Sequence, residues 1–280
     1  MKREDITPQT KINELRLDIS HPKSRGKVFV LLEGESDIKL YRKLFNNDTC
    51  KIETIPGGKI FLEKGLEILN DIYKLIIGIR DADFLHLKGA KPQFSNLFLT
   101  DYHDYELMMA SEIECHCPIF FEHTKIVSKD HNSTFEKLLN SIRFLGYFRW
   151  YNEIENLEFN FRGLGLNDLF DKKTFTIDDK VLIQTVINRS RDAKIKDVEQ
   201  IFDAVKGLYD SQHDLCQVCN GHDFMKVMAI LCSSRQKGIS DKDMASQFRV
   251  AYNQNMFQKT QLFKDTSGWA VENNCTLYHQ

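Results

Sequence analysis

The chain has 280 residues, of which 42% are hydrophobic and 28% are charged, and its formal net charge is −2. This composition supplies enough apolar side chains for a packed core, so we expect one large globular domain, or a core domain with a smaller one. The near-neutral charge excludes a uniformly basic surface, so any contact with nucleic acid must come from a local patch.

The sequence shows no membrane or secretory signal. No stretch approaches the roughly 18 consecutive apolar residues of a membrane span, and the first residues lack the apolar segment of a signal peptide. The seven cysteines show no disulfide-framework spacing, as expected of reduced thiols inside a cell. We therefore expect a cytoplasmic protein that does not bind a membrane.

The first third of the chain alternates apolar β-branched runs with amphipathic segments. Residues 1–26 are polar and are expected to form an N-terminal arm or a short helix. The elements predicted after it are strand 27–32, a helix from Ser36 (its N-cap) to Asn46, strand 50–55, a turn at residues 56–58, helix 59–72, strand 74–80 and strand 96–100. This alternation of strands and helices predicts an α/β fold with a parallel sheet flanked by helices.

The chain after Pro118 is predicted to be mostly helical. Helices are expected at 133–151, 196–209, 212–234 and 240–252, with an extended segment at 157–162. We accordingly divide the chain into an arm (1–26), a catalytic core (27–115) and a mostly helical accessory region packed on that core (116–280).

Two of the predicted strands end in carboxylates. Glu33 follows the first strand, and Asp81 and Asp83 follow the third. The carboxyl ends of parallel strands share one edge of the sheet, where ligands bind, and positions i and i+2 share a face if extended geometry continues through Ala82. Because clustered carboxylates repel one another unless a proton or cation lies between them, this arrangement predicts a bound divalent metal.

The same residues resemble a known family. Glu33, Gly34 and Asp37 form the pattern E-G-x-x-D, in which we expect Asp37 to cap or pair within the helix. A glycine turn follows, and then Asp81 and Asp83 form D-x-D. This order resembles the Toprim domain of topoisomerases, bacterial primases and nucleases of the overcoming-lysogenisation-defect type.

Two further segments extend the resemblance. Glu106, in DYHDYELMM, is similar to the glutamate of the H-x-I-E-N-Y-L stretch in those nucleases, although Leu107 replaces the usual asparagine. The segment Asn220–Ala229, NGHDFMKVMA, and the chain length resemble the stand-alone Toprim-like proteins that include the AriB-type effectors of the PARIS antiphage system.

The resemblance implies a Mg²⁺-dependent endonuclease, with Mn²⁺ as a second option. It implies catalytic roles for Glu33, Asp81, Asp83 and His222, and metal binding by Glu33, Asp81, Asp83 and Glu106. It also implies tRNA as the target, and an ABC-type or AAA-type ATPase partner that restrains a toxic effector until infection is sensed. His222 has an alternative structural interpretation, since it lies where Asn220 or Asp223 opens a helix.

Basic residues are candidates for substrate binding. Lys59 follows a Gly-Gly pair and would hold a phosphate at a helix N-terminus, although Pro-Gly-Gly is usually a simple turn. Arg189 and Arg191 belong to the densest positive run, and arginines interleaved with aromatics at 143–151 suit single-stranded RNA if those rings are exposed. The chain has no P-loop motif, so it is not itself a P-loop ATPase.

A zinc site is an open alternative. His213, Cys216, Cys219 and His222 recur every three residues. On a continuous helix these positions spread around about half the circumference, so one ion would not reach all of them unless Gly221 breaks the helix.

The leading hypothesis is a Toprim-like endonuclease that acts on tRNA. The alternatives are a DNA-nicking or DNA-cleaving Toprim nuclease, and a catalytically silent scaffold that binds nucleic acid or an ATPase. A phosphatase with an aspartyl nucleophile is disfavoured, because its acidic pair normally follows the first core strand rather than the third. A homodimer is left open.

Overall fold

The structure is a computed structural model that describes residues 7–210, 212–234 and 238–279. The chain divides into two compact units that interleave along the sequence. Of the described residues, the sheet unit comprises 7–82, 90–101 and 252–279, and the helical unit comprises 83–89 and those within 102–251. The division predicted from sequence used continuous segments, and residues 1–6 of its N-terminal arm lie outside the described residues.

The sheet unit confirms the predicted α/β fold with a parallel sheet. Its strands and helices are α1 (Pro8–Ser20), β1 (Val28–Leu32), α2 (Glu35–Leu44), β2 (Cys50–Thr54), α3 (Lys59–Asn70), β3 (Ile76–Arg80) and β4 (Leu97–Leu99). The strand order is β2-β1-β3-β4, and every pair is parallel. The central strand β1, VFVLL, is buried along its whole length, as expected of a parallel strand covered on both faces.

The sheet packs against α1 and α3 through one hydrophobic cluster. Phe29 and Leu31 of β1 contribute to it, together with residues of α3. Ile12 and Leu15 of α1 are buried in the same cluster. The segment predicted as an arm or a short helix therefore contains a helix that is part of the core.

The end of the chain belongs to the sheet unit. It contains α13 (Gln254–Phe257) and α14 (Gln261–Glu272). The ring of Tyr278 packs against Phe45, with centroids 4.9 Å apart. Asp101, just after β4, accepts hydrogen bonds from the backbone N–H groups of Gln261 and Leu262 at 2.7 and 2.9 Å, and so caps α14.

The helical unit is built around one long helix. Its elements are α4 (Tyr105–Ala110), α5 (Ile113–His123), α6 (His131–Glu155), α7 (Leu166–Leu169), β5 (Phe170–Asp171), β6 (Thr176–Ile177), α8 (Asp179–Arg189), α9 (Val198–Gly207), α10 (Leu215–Val218), α11 (Gly221–Cys232) and α12 (Asp241–Ala251). The 25-residue α6 carries many buried apolar side chains and contacts α5, α9, α10 and α11. Within the described part of the chain, none of the helices is both long and apolar enough to cross a bilayer.

Two local predictions were wrong, and a third was confirmed in part. The first helix begins after Gly34 rather than Ser36, because the Asp37 carboxylate accepts the backbone N–H of Gly34. Residues 157–162 form no strand, and their backbone makes isolated bonds such as that from Asn160 N–H to Ser190 Oγ. The segment 212–234 is mostly helical, as predicted, but it is divided into α10 and α11, because Asn220 starts a new helix.

Candidate metal centres

Glu33 and Asp81 lie at one edge of the parallel sheet. Glu33 follows the end of β1, and Asp81 follows the end of β3. These strands are neighbours, and their register pairs Leu32 with Ile79. Since paired strands lie about 4.8 Å apart, the backbone brings both residues to the same carboxyl edge, as predicted.

The start of α3 faces Glu33. A Cβ atom added to Gly58 would lie 3.7 Å from Glu33 Oε1. Gly57 and Gly58 have φ values of +103° and +78°, which glycine adopts without strain. Lys59 is the first residue of α3 and is partly buried. The Pro-Gly-Gly turn thus places a helix N-terminus, which favours negative charge, beside the carboxylate.

The remaining acid of E-G-x-x-D has a structural role. The Asp37 carboxylate accepts hydrogen bonds from Gly34 N–H at 2.9 Å and from Ser36 Oγ at 3.0 Å. Asp37 is buried in the first turn of α2. The prediction that it caps or pairs within this helix is confirmed.

Asp83 does not continue the strand geometry of Asp81. The strand ends at Arg80, and Asp83 has a left-handed backbone with φ of +48°. Its N–H donates to the carbonyl of His103 at 2.8 Å within the helical unit. The expectation that extended backbone places Asp81 and Asp83 on one face was therefore wrong. Metal binding by Asp83 stays a prediction.

A second group of potential ligands lies within the helical unit. Asp104, Glu106 and His222 each offer a ligand atom, and these atoms all lie within 4.8 Å of one another. Asp104 and Glu106 are buried, whereas His222 is exposed. The Nδ1 atom of His222 lies 3.7 Å from Glu106 Oε1. The structure thus brings together two residues that the sequence analysis assigned to the site.

Asp104 holds this group together. As the N-cap of α4, it accepts the Leu107 N–H with Oδ1 at 3.0 Å. Its Oδ2 accepts the N–H of Gly221, the first residue of α11, at 2.6 Å. A Cβ atom at Gly221 would lie 2.2 Å from Asp104 Oδ1 and 2.5 Å from Glu106 Cβ. Only glycine fits this close approach of α11 to α4.

An ion pair fixes the first turn of α11. Asp223, one residue after His222, is 2% exposed. Its carboxylate accepts bonds from Arg149 Nε at 2.8 Å and from Arg149 Nη2 at 3.1 Å. The Arg149 guanidinium also lies 4.6 Å from the centroid of the Phe161 ring. Asp223 is therefore a structural partner of α6, while His222 faces the exposed side.

The two sets of ligands suit different cations. Glu33 and Asp81 offer hard carboxylate oxygens, which fit Mg²⁺ or Mn²⁺. The imidazole of His222 adds a nitrogen ligand, which extends the choice in the helical unit to transition metals. Both oxygens of Asp104 already accept backbone N–H bonds, so Glu106 and His222 are the better-placed ligands there.

The zinc alternative does not match the geometry. Among the described residues, the group of three or more potential ligands whose atoms lie together is Asp104, Glu106 and His222, and it includes none of His213, Cys216 and Cys219. His213 Nδ1 lies 3.0 Å from the hydroxyl of Tyr147. Burial raises the pKa of the Cys216 and Cys219 thiols well above the usual value, which opposes the thiolate form that zinc requires.

The basic candidates lie on the surface, but their aromatic neighbours do not. Arg189 and Arg191 are exposed, and Arg189 Nη2 donates to the carbonyl of Arg162 at 2.6 Å. The rings of Tyr147 and Phe148 in α6 are fully buried. Most aromatics of this helix therefore form core rather than a base-stacking surface. Substrate binding by Lys59, Arg189 and Arg191 stays a prediction.

Gly221 is the residue that the sequence analysis missed as part of the site. Its only sequence signal is its place directly after Asn220, the helix N-cap.

No protein-family model matches the chain, and none of the curated proteins compared with it matches either. The resemblance to Toprim nucleases therefore rests on the motifs alone.

Proposed function

We propose that this protein is a metal-dependent endonuclease that hydrolyses phosphodiester bonds at the carboxyl edge of its parallel sheet. The observation that carries the proposal is the adjacency of Glu33 and Asp81 at the ends of paired strands. Bound Mg²⁺ would neutralise charge on a phosphodiester and activate a water. In this proposal Asp81 is a ligand, and Glu33 binds metal or transfers a proton.

The substrate follows from the motif resemblance. We propose RNA, with tRNA favoured over DNA, as the polymer that is cut. The toxic role in antiphage defence and the restraining ATPase partner belong to the same proposal. Asp83, Glu106 and His222 keep their proposed metal-binding and catalytic roles, each to be tested by its own substitution.

The decisive experiment compares two glutamates that lie close together in the sequence. Purified wild type, Glu33→Gln and Glu35→Gln are incubated with total tRNA or supercoiled plasmid in Mg²⁺ and in EDTA. Glu35 is exposed in the first turn of α2, so its substitution is a matched control. We expect Glu33→Gln to lose at least about a hundredfold in rate, because even outer-shell changes at metal sites cost 10- to 100-fold.

Each outcome has a distinct meaning. If Glu35→Gln keeps the Mg²⁺-dependent cutting and Glu33→Gln loses it, the result supports a catalytic site at the carboxyl edge of the sheet. Equal cutting by all three proteins rejects this site. If only plasmid is cut, the DNA-nuclease alternative replaces RNA cleavage. If neither polymer is cut but Mg²⁺ binds, the proposed endonuclease activity is rejected in favour of a silent scaffold.

A further inference from the structure

The first turn of α3 exposes two neighbouring apolar side chains. Ile60 is 71% exposed and Phe61 is 37% exposed. Single exposed apolar residues are common on protein surfaces, but two adjacent ones at the start of a helix form a small patch. The next residue, Leu62, is fully buried and anchors the helix in the core. Core burial therefore does not explain why the two residues before it are apolar.

The glycine turn before α3 holds the ring of Phe61 in place. A Cβ atom added to Gly57 would lie 2.4 Å from Cδ2 and 3.0 Å from Cε2 of that ring, so one edge of the ring packs against the bare backbone of the turn. The Phe61 N–H donates to the carbonyl of Gly58 at 3.0 Å. Because the ring is already held, it loses little conformational entropy when a ligand stacks on it.

The same turn connects the ring to the acidic edge. A Cβ atom at Gly58 would lie 3.7 Å from Glu33 Oε1. The chain between the two glycine Cβ positions adds at most about 7 Å, so the Phe61 ring lies within about 13 Å of Glu33 Oε1. Gly58 is also the N-cap of α3 and has no side chain to cap the helix. The positive end of α3 therefore lies between the carboxylate and the ring.

We infer that Phe61, flanked by Ile60, is a stacking surface for an unpaired base of the nucleic acid bound at the acidic edge. A nucleotide joins an anionic phosphate to a flat apolar base face, and this turn joins a positive helix end to an exposed ring. Because a base inside a duplex is already stacked and paired, the inferred substrate class is a single-stranded or looped segment. The inference rests on the proposed function, since it takes the acidic edge as the place where the phosphodiester binds.

The test replaces Phe61 in two ways. Phe61→Leu keeps an apolar side chain but removes the ring, and Phe61→Trp keeps a ring and makes it fluorescent. Phe121→Leu is the control, because Phe121 is a 75%-exposed phenylalanine of α5 that is not part of this turn. The probe is a labelled single strand of about 12 nucleotides, as RNA and as DNA, and the same strand in a duplex. Affinity is measured by fluorescence anisotropy of the full-length proteins, with Ca²⁺ in place of Mg²⁺ to keep the probe intact.

The single strand should distinguish the variants. We expect wild type to bind it more tightly than the duplex. Phe61→Leu should bind the single strand at least about fivefold more weakly, because stacking of one base on an aromatic ring contributes at least that factor. Its affinity for the duplex should not change, and Phe61→Trp and Phe121→Leu should bind like wild type.

A second measurement reports stacking without depending on activity. The single strand should quench the tryptophan fluorescence of Phe61→Trp more than that of wild type, whose own tryptophans lie in α6 and α14. The reason is that a base stacked on the indole at position 61 lies in direct contact with the fluorophore.

The contrary outcomes are separable. If Phe61→Leu binds the single strand and cuts in Mg²⁺ as wild type does, the inference alone is overturned, in favour of a protein-docking role for the exposed pair. Equal weakening for single strand and duplex, or no added quenching in Phe61→Trp, also overturns it. If wild type cuts neither polymer in Mg²⁺, or Glu33→Gln cuts as fast as wild type, the proposed site is rejected and the inference with it, whatever the affinity of Phe61→Leu.

Discussion

Replacing Gly221 by alanine should destabilise the helical unit through a single methyl group. The added Cβ would lie 2.2 Å from Asp104 Oδ1 and 2.5 Å from Glu106 Cβ. Ordinary carbon contacts begin near 3.5 Å, so α11 and α4 must separate by about 1 Å. That movement also lengthens the 2.6 Å bond from Gly221 N–H to Asp104 Oδ2.

The expected loss follows from these contacts. Overpacking costs about 1 to 3 kcal/mol, and weakening a buried hydrogen bond to a charged group costs about 1.5 to 3 kcal/mol. A combined loss of about 3 kcal/mol or more corresponds to a fall in melting temperature of at least about 6 °C for a unit of this size.

The assay is thermal unfolding of the full chain followed by circular dichroism. Gly207→Ala is the matched control, because Gly207 is exposed within α9 and a Cβ there would meet nothing within 4 Å. Removing a helical glycine at such a position should raise stability by about 0.4 to 1 kcal/mol. If Gly221→Ala melted within about 2 °C of Gly207→Ala, the close approach of α11 to α4 would be wrong.

Two further outcomes are expected. Arg149→Met should cost about 3 to 5 kcal/mol in urea unfolding, because it leaves the 2%-exposed Asp223 carboxylate unpaired. Adding Asp223→Asn should recover part of that loss, and a cost below about 1 kcal/mol would contradict the pairing. Burial raises the pKa of Cys50 to about 11, so only about one thiol in a thousand is thiolate at pH 8. Alkylation mapped by mass spectrometry should therefore label the less buried Cys117 first, and early labelling of Cys50 would refute its burial.

The sheet and its acidic edge could be predicted because their signals are local. The apolar runs of β1 and β3 each end abruptly at an acid, and Pro-Gly-Gly marks the turn before α3. The conformation of Asp83 could not be predicted in this way. It depends on an acceptor, the carbonyl of His103, that lies twenty residues further along the chain.

The group of Asp104, Glu106 and His222 was even harder to predict from the sequence. Asp104 and Glu106 precede His222 by more than a hundred residues, and no periodicity links the two segments. What joins them is the Gly221 N–H bonded to Asp104, together with the absence of a side chain at that glycine. This contact depends on how α11 packs against α4. A single sequence shows the residues involved, but it does not show that they meet.

Within E-G-x-x-D, the structure separates two acids that look equivalent in the sequence. Asp37 is buried, and its two oxygens accept bonds from Gly34 N–H and Ser36 Oγ, so its charge serves the start of α2. Glu33 lies before that helix and faces the glycine turn that opens α3. Recruiting Asp37 to a cation at the sheet edge would therefore cost the hydrogen bonds that start α2. This difference is why Glu33, rather than Asp37, is the residue on which the proposed metal chemistry is tested.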